Sequence, residues 1–182
     1  MKVEKLEETI EIPEKIEVSV NGSEVSVKGT KGQVVRDFKS PKIKIEKENN
    51  VIKIFATKAT KREKKLILSF IAHIKNMFKG VENLHRYELK ICSGHFPMSV
   101  DMKGKELIVK NFLGEKIPRK VSLTDSDISV KVDGNMIFVE SIDIEKAGYT
   151  ATKIEQLTRI TDRDSRVFQD GIYITKKAKD FD

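Results

Sequence analysis

The sequence contains a single cysteine, Cys92, among its 182 residues. One thiol cannot form an internal disulfide, and it excludes any metal-binding knuckle that needs two cysteines. The histidines, His73, His85 and His95, show no metal-ligand spacing. We therefore expect no bound metal and no cofactor. The scarcity of cysteine is typical of proteins in a reducing cytoplasm.

Long apolar runs are also missing. The longest one, residues 66–72, is interrupted by Ser69 and is far too short to span a bilayer. The first eight residues alternate in charge and contain no apolar stretch of the kind that secretory signals carry. We expect a soluble, cytoplasmic protein without a membrane partner.

Signatures of the common enzyme classes are absent as well, including Gly-x-Ser-x-Gly, His-Glu-x-x-His and paired carboxylates. Cys92 and His95 supply one thiol and one imidazole. On an extended segment, however, side chains three residues apart point to opposite faces. Residues 28–32, Lys-Gly-Thr-Lys-Gly, lack the ending and the following helix of a nucleotide-binding loop, which favours a basic hairpin. We predict that the protein is not an enzyme.

Charge is what the sequence has in quantity. Lys, Arg, Asp and Glu make up 35% of the residues and leave a net charge of +7. A basic surface suits a nucleic acid, an anionic membrane or an acidic protein partner. Charge by itself does not choose among these partners, and it is also compatible with a merely soluble basic protein.

Two kinds of periodicity follow one another in the first half of the chain. Residues 16–55 alternate between apolar and polar side chains and predict several strands. Thr60 and Glu63 then form a capping box, in which each side chain accepts a hydrogen bond from the other residue's backbone. Apolar residues at helical spacing predict one helix over residues 60–79, which Gly80 ends.

The second half repeats this plan. Residues 22–28 align with residues 104–110 at an offset of 82, and Gly32 falls on Gly114 at the same offset. A second amphipathic helix follows over residues 143–158. Strand and turn composition alone would not produce a shared offset over this length, so we infer an internal duplication.

The duplication predicts the fold class. We expect an α+β fold of two duplicated domains, each with small β-sheets and one packed α-helix. The predicted domains are residues 1–82 and residues 83–182.

The most distinctive stretch is residues 156–176. Arg159, Arg163 and Arg166 lie three to four residues apart, a spacing that predicts a row on one side of a helical or near-helical turn. Guanidinium groups match the geometry of phosphates, and neighbouring aromatics either pack into a core or stack on bases. The alternative is a solvated network in which the arginines pair with Asp162, Asp164 and Asp170.

A second segment of interest is the turn over residues 110–116, Lys-Asn-Phe-Leu-Gly-Glu-Lys. Phe112 and Leu113 are apolar in an otherwise polar turn. A core-facing pair is the favoured interpretation, and an exposed binding residue is the alternative.

Several of these residues together form a known signature. They are Gln156, Ile160, Arg163, Arg166 to Phe168, Asp170 to Tyr173 and Lys176. This pattern resembles the C-terminal signature of the ribosomal protein L6 family of the large subunit, in its archaeal and eukaryotic form. Residues 95–97, His-Phe-Pro, and residues 111–116 fit the same family in register, so the resemblance covers essentially the whole chain.

The resemblance implies a structural, non-catalytic constituent of the large ribosomal subunit, bound to the ribosome in the cytoplasm. It implies binding to large-subunit (23S-type) rRNA chiefly through the second domain. It also implies a position near the sarcin–ricin arm, among neighbouring large-subunit proteins and beside the surface where translational GTPases dock. The protein would then support factor-dependent GTP hydrolysis indirectly.

The predicted rRNA contacts fall into groups by role. Phosphates would be neutralised by Arg159, Arg163, Arg166, Lys176 and Lys177. Bases or 2′-hydroxyls would be bonded by Asn111, Gln156 and Tyr173. The shape of the loop would be held by Phe168 and Gly171. The turn adds Lys110, Phe112 and Lys116.

Two other functions remain open at this point. One is a free-standing RNA-binding regulator built on a duplicated α+β domain, which would not associate stably with a ribosomal subunit. The other is an enzyme that uses Cys92 and His95, which predicts that Cys92→Ala abolishes its activity.

Overall fold

The chain divides into two compact units, Met1–Leu84 and His85–Asp182. The computed structural model describes residues 3–164 and 166–181, with the side chains of all of these except residues 3, 4 and 58. Each unit contains two small antiparallel sheets and one long α-helix. The predicted duplicated α+β architecture is thereby confirmed.

The first unit contains six strands followed by a helix. Its elements are β1 (Val3–Glu11), β2 (Glu17–Asn21), β3 (Glu24–Gly29), β4 (Gly32–Asp37), β5 (Ile43–Glu48), β6 (Val51–Ala59) and α1 (Lys61–Glu82). One sheet has the order β1-β6-β5 and the other has the order β2-β3-β4. All neighbouring strands are antiparallel.

Strand β1 was not predicted from the sequence. Its inward positions carry Leu6 and Ile10, but charged residues occupy most of the strand, so the apolar alternation is weak. Pairing with β6 over its whole length makes it a strand, because the ladder satisfies the backbone groups regardless of side chain.

Helix α1 begins as predicted and ends later than predicted. Thr60 is its N-cap and completes the capping box with Glu63, whose carboxylate accepts the Thr60 backbone N–H at 2.8 Å. Hydrogen bonds from the Thr60 side chain and backbone lower the pKa of Glu63 to about 2. The helix continues through Gly80 to Glu82. Gly80 is buried in the interior of the first unit and does not lie at a helix end. The predicted stop at Gly80 was wrong.

The second unit contains seven strands and a helix. Its elements are β7 (His85–Cys92), β8 (Ser99–Lys103), β9 (Glu106–Lys110), β10 (Arg119–Ser122), β11 (Ile128–Asp133), β12 (Met136–Ser141), α2 (Ile144–Leu157) and β13 (Gly171–Lys176). Short 3₁₀ turns cover Phe112–Gly114 and Ala178–Phe181. The sheets have the orders β11-β12-β7-β13 and β10-β9-β8.

The core of the second unit lies between its sheets and α2. Ala147 and Ala151 are fully buried, and their small side chains let the helix approach β7 and β12 closely. Asp143 caps the helix by accepting the Glu145 N–H at 2.9 Å, which confirms the predicted start. The fully or almost fully buried side chains around α2 include Leu89, Leu107, Val109, Phe112, Ile137, Val139, Ile154 and Ile172.

The repeat extends to individual hydrogen bonds. In the first unit the Ile12 N–H donates to the Asn50 carbonyl at 2.9 Å, and in the second unit the Ile91 N–H donates to the Asn135 carbonyl at 2.8 Å. Gly22 and Gly104 occupy matching hairpin turns, with φ of +64° and +61°, which glycine adopts without strain.

The two units differ in two connections. Residues 30–31 join β3 to β4, whereas residues 111–118 join β9 to β10. For this reason Gly32 begins a strand while Gly114 lies inside the longer loop, and the predicted match between these two glycines is not kept. The second unit also continues beyond its helix into β13, which has no counterpart in the first.

Candidate nucleic-acid interface

Three loops of the second unit lie against one another. They are residues 93–98, 111–118 and 158–170, together called the three-loop surface here, and Ser165 falls outside the described residues. The Asn111 side-chain amide donates to the Pro97 carbonyl at 2.9 Å, which joins the first two loops. The Arg119 guanidinium, at the end of the second loop, donates to the Leu157 carbonyl at 2.8 Å. Segments far apart in sequence therefore form one surface.

The arginines of the third loop do not form the predicted helical row. Helix α2 ends at Leu157, and the chain then turns back toward β13 through Asp162, which has a left-handed φ of +60°. Thr158 fixes this reversal, because its hydroxyl donates to the Glu155 carbonyl at 3.2 Å and accepts the Ile172 N–H at 2.8 Å. The prediction of one helical side was wrong, and the arginines are distributed along an irregular loop.

A buried carboxylate anchors this loop. Asp170 is 3% exposed and accepts hydrogen bonds from the backbone N–H of Gly94 at 2.6 Å and of His95 at 3.1 Å. Its Oδ1 also lies 3.2 Å from the His95 Nδ1. Burial raises the pKa of Asp170, but the hydrogen bonds from Gly94 and His95 outweigh it, so the pKa is lowered. Asp170 is therefore an ionised clamp between the first and third loops, and not a partner of the arginines.

Phe168 lies inside a short stack. Its ring centroid is 4.9 Å from the His95 ring, and the Arg163 guanidinium carbon is 4.9 Å from the same centroid. The N–H groups of a guanidinium lie in its own plane. When the guanidinium stacks on an aromatic face, they therefore remain free to donate hydrogen bonds at its edge. The stack fixes Arg163 at the exposed rim of the surface.

Arg166 follows the alternative that the sequence left open. It makes a two-pronged pair with Asp164, from Nε to Oδ1 at 3.1 Å and from the terminal nitrogen to Oδ2 at 2.8 Å. The hydrogen bond from Arg166 lowers the pKa of Asp164. The Arg166 side chain is nevertheless 89% exposed. Because exposed ion pairs contribute little free energy, a phosphate can replace this carboxylate at small cost.

The second loop is organised from within. Phe112 is 1% exposed in the core, and the Arg119 guanidinium carbon lies 4.3 Å from its ring centroid. This is the core-facing position that the sequence favoured, so the Phe112 side chain is not available to a ligand. Arg119 also pairs with Glu115 at 2.6 Å, and its hydrogen bonds lower the pKa of that carboxyl.

The other predicted residues divide into two groups. Asn111, Lys116, Gln156 and Arg159 are exposed on or beside the three-loop surface. Gly171 and Tyr173 begin β13 next to it, and the Tyr173 hydroxyl lies 3.4 Å from the Asp170 carbonyl, with burial raising the pKa of the phenol.

The second group lies in or next to strands, with Lys110 directly before the second loop and Lys176 at the far end of β13. Lys110 pairs with Asp101 at 3.1 Å in the strand pair β8–β9. Lys176 pairs with Glu88 at 3.4 Å, and Lys177 follows it. Lys176 and Lys177 are at the opposite end of β13 from the loops. At ~3.3 Å per residue, Lys176 is about 17 Å from Gly171, where β13 begins.

The sequence analysis did not select three residues that shape this surface. Arg119 gave no local signal, because the carbonyls it binds belong to Leu157 and Arg159, far along the chain. Phe96 and Ile117 are 42% and 80% exposed. They are apolar residues in polar loops, the same signal that singled out Phe112, and it could have found them.

Beside the clamp is a cleft of about 760 Å³, whose lining includes Cys92, His95, Val167, Gln169 and Tyr173. Cys92 and His95 therefore line one cleft, against the expectation that they would point to opposite faces. The reason is that β7 ends at Cys92 and the chain bends immediately afterwards. His95 directs its Nδ1 toward Asp170 in the clamp.

Two further features concern metals and membranes. Among residues 3–164 and 166–181, no three His, Cys, Asp or Glu side chains are grouped so that they could hold a metal ion. Neither helix in this part of the chain has the length and apolar character needed to cross a membrane.

Comparison with known proteins gives concordant matches over most of the chain. A family model described as Ribosomal protein L6 matches residues 12–83 and 96–171. The chain is 45% identical over 175 residues to the large ribosomal subunit protein uL6 of Desulfurococcus amylolyticus, with 94% of this chain and 95% of that relative covered.

Other archaeal relatives agree. Identity is 46% over 178 residues to the large ribosomal subunit protein uL6 of Sulfurisphaera tokodaii, covering 97% of this chain and 95% of the relative. It is 42% over 173 residues to the protein of the same name in Methanococcus vannielii, covering 95% and 94%. Similarity at this level extends through both units.

Proposed function

Because the chain belongs to the ribosomal protein L6 family, we propose that it is a structural constituent of the large ribosomal subunit that binds large-subunit rRNA. The second unit would be the main rRNA-binding domain, with the division between domains close to residues 82–85. The protein would work in the cytoplasm, bound to the ribosome and in contact with neighbouring large-subunit proteins.

The observation that carries the proposal is the anchored third loop. Arg163 is exposed yet fixed by its stack on Phe168, and the loop that bears it is clamped by Asp170. A preorganised guanidinium loses less conformational freedom on binding a phosphate than a free side chain does. Such a surface suits a folded RNA, whose phosphates have fixed spacing.

Each predicted residue has a proposed role on this surface. Arg159, Arg163, Arg166 and Lys116 would neutralise phosphates. Asn111, Gln156 and Tyr173 would bond 2′-hydroxyls or bases, while Phe168 and Gly171 support the loop. Phe112 would act only through the core. Lys110, directly before the second loop, would contact RNA at the border of the surface. Lys176 and Lys177 would form outlying contacts with RNA that extends past the loops.

The site on the ribosome would be near the sarcin–ricin arm. By helping to fix the RNA there, the protein would support the site where translational GTPases act, without catalysis of its own. This part of the proposal rests on the family resemblance of residues 156–176 and 95–97.

The test is a salt series of binding to an rRNA fragment that carries the sarcin–ricin arm, against a shuffled RNA of equal length. Arg163→Glu with Arg166→Glu should weaken binding to the native fragment by at least roughly a hundredfold. The salt slope should fall by about 0.7–0.9 for each phosphate that is no longer neutralised. The matched control is Lys61→Glu with Lys64→Glu, two exposed residues of α1. It makes the same change in net charge and should matter much less.

Two results would count against the proposal. Unchanged affinity of the arginine double variant would remove the site from the three-loop surface. Equal binding of both RNAs that collapses with salt would indicate only a basic surface. A free-standing regulator would bind the fragment but fail to co-sediment with large subunits, and Cys92→Ala should leave RNA binding intact.

A further inference from the structure

In the second unit, strand β13 forms the outer edge of the larger sheet, and side chains accept hydrogen bonds from its outward-facing N–H groups. Strand β13 pairs with β7, from Gly171 opposite Cys92 to Ile174 opposite Leu89. The N–H groups of Ile172 and Ile174 point away from β7. They are accepted by the Thr158 hydroxyl at 2.8 Å and the Glu155 carboxylate at 2.9 Å. No further strand can add there without breaking these bonds.

The first unit has a corresponding sheet edge, but the described part of that unit lacks a strand equivalent to β13. The matching hydrogen bonds of Ile12 and Ile91 make β1 the counterpart of β7, with an offset of 79 residues. Strand β1 pairs with β6 on one side. On its other side, no strand among residues 3–164 and 166–181 pairs with β1, whereas β13 pairs with β7 at the corresponding edge.

The register identifies the free backbone groups of β1. In an antiparallel pair, alternate residues direct both their N–H and their C=O to the same neighbour. Ile12 bonds to Asn50, the residue directly before β6, so the backbone groups of Ile10 and Leu6 face β6 as well. The alternate residues direct their backbone groups to the free edge, and their side chains are exposed; they are Lys5, Glu7, Thr9 and Glu11.

The helix beside this edge is also less covered than its counterpart. The N-caps Thr60 and Asp143 align the two helices, so that Leu68 corresponds to Ala151 and Ile71 to Ile154. Ala151 and Ile154 are fully buried in the second unit, where α2 contacts β13. Leu68 is 48% exposed and Ile71 is only partly buried. An added strand would cover this flank.

We propose that the free edge of β1 receives an extended segment of another polypeptide, which pairs antiparallel to β1 as β13 pairs with β7. Main-chain hydrogen bonds to Glu7, Thr9 and Glu11 would provide affinity, and alternate apolar side chains would cover the exposed flank of α1. Glu7 pairs with Lys5 of the same strand at 2.6 Å, whereas Glu11 is exposed, so the segment carries a basic residue at the position that faces Glu11. The partner is thus a basic, β-forming tail or loop of a neighbouring protein.

The chain itself supplies the probe. A synthetic peptide with the sequence of residues 169–177 contains the strand that fills the matching edge. In register with β1, its Tyr173 position faces Glu11, so Tyr173→Lys in the peptide places a lysine against that carboxylate. We expect the full-length protein to bind this peptide in fluorescence anisotropy, and we expect amide hydrogen exchange to slow at Thr9 and Glu11 but not at the β13 edge.

Substitutions in β1 test the mode of binding. Thr9→Pro removes an outward N–H and should lower the affinity for the peptide roughly tenfold or more. Thr9→Val keeps that N–H, so its affinity for the peptide should be unchanged. Glu11→Lys in the protein should lower its affinity for the Tyr173→Lys peptide. A peptide with glutamate at position 173 should restore that affinity. If circular dichroism shows that the Thr9→Pro variant does not fold, the charge exchange at Glu11 still tests whether the peptide pairs with β1.

Three outcomes would overturn the proposal. They are peptide binding that is indifferent to Thr9→Pro and to the charge exchange, the absence of amide protection on β1 at saturating peptide, and a concentration-dependent dimer formed through β1 in sedimentation velocity. The last result would mean that the edge pairs with a second copy of the chain.

Discussion

At the scale of single residues, Asp170 has the largest influence on the candidate site. It is a buried, ionised carboxylate whose acceptors are taken up by Gly94 and His95. Because its pKa is lowered, the clamp contributes stability above the ordinary carboxyl pKa of 3.8 and loses it as the pH falls through the lowered value. A carboxylate in this setting determines loop geometry rather than surface charge.

We predict that Asp170→Ala destabilises the second unit by about 1–3 kcal/mol, because the backbone N–H groups of Gly94 and His95 lose hydrogen bonds to a buried, charged acceptor. Urea unfolding measures this loss. Affinity for the sarcin–ricin fragment should fall as well, since the arginine loop is no longer tied to residues 93–98.

The control for this prediction is Asp164→Ala. Asp164 is exposed and pairs only with Arg166 among the described residues, so stability should stay within about 0.5 kcal/mol. RNA affinity should stay equal or rise, because a competitor for the Arg166 guanidinium is removed. If the two alanine variants behave alike, the clamp has no special role.

At the scale of elements, the junction of α2 and β13 is the decisive one. Thr158 ends the helix and also closes the edge of β13 through the Ile172 N–H. One side chain therefore replaces the strand that would otherwise be needed at this edge. Among the described residues, the first unit has no strand equivalent to β13, so β1 lies at the edge of its sheet.

We predict that Thr158→Val, which keeps the shape of a side chain that is 3% exposed, costs about 1–3 kcal/mol. The cause is the buried Ile172 N–H, which would lose its partner. Thr57→Val on the exposed side of β6 is the matched control and should change stability by less than about 0.5 kcal/mol. Chemical denaturation of both variants measures the difference, and equal stabilities would contradict the assignment.

At the scale of the whole molecule, one architecture is used twice for different purposes. The second unit has the longer connection over residues 111–118 and the segment from residue 158 to β13, and these additions make up most of the three-loop surface. The first unit keeps short turns and an open edge. Under the two proposals above, the second unit would bind RNA and the first would receive a segment of another protein.

This division predicts unequal effects of equivalent core damage. Ile67→Ala in α1 and Ile154→Ala in α2 each remove a fully buried side chain and should cost about 2–5 kcal/mol in their own unit. RNA binding measured against temperature should fail earlier for Ile154→Ala, while Ile67→Ala should keep the midpoint of the unmodified protein. The reverse order would move the RNA site to the first unit.

Features that depend on local pattern could be predicted from the residues alone. Alternation and helical spacing gave most strands and both helices, and the capping box at Thr60 and Glu63 fixed the start of α1. The offset between the halves revealed the duplication, because Gly22 and Gly104 occupy turns that require a left-handed backbone. The short motif of residues 156–176 was sufficient to suggest the family that the comparisons then established.

Contacts between distant groups depend on the fold and could not be predicted from local pattern. Asp170 contacts a backbone segment 75 and 76 residues away, and Arg119 binds carbonyls 38 and 40 residues away. Pairing also made β1 a strand in spite of its charges, and the reversal at Thr158 dispersed an arginine row that spacing alone had placed on a helix. Local sequence sets the preferences of each segment, but hydrogen bonds and burial across the fold determine where each segment ends and what its side chains face.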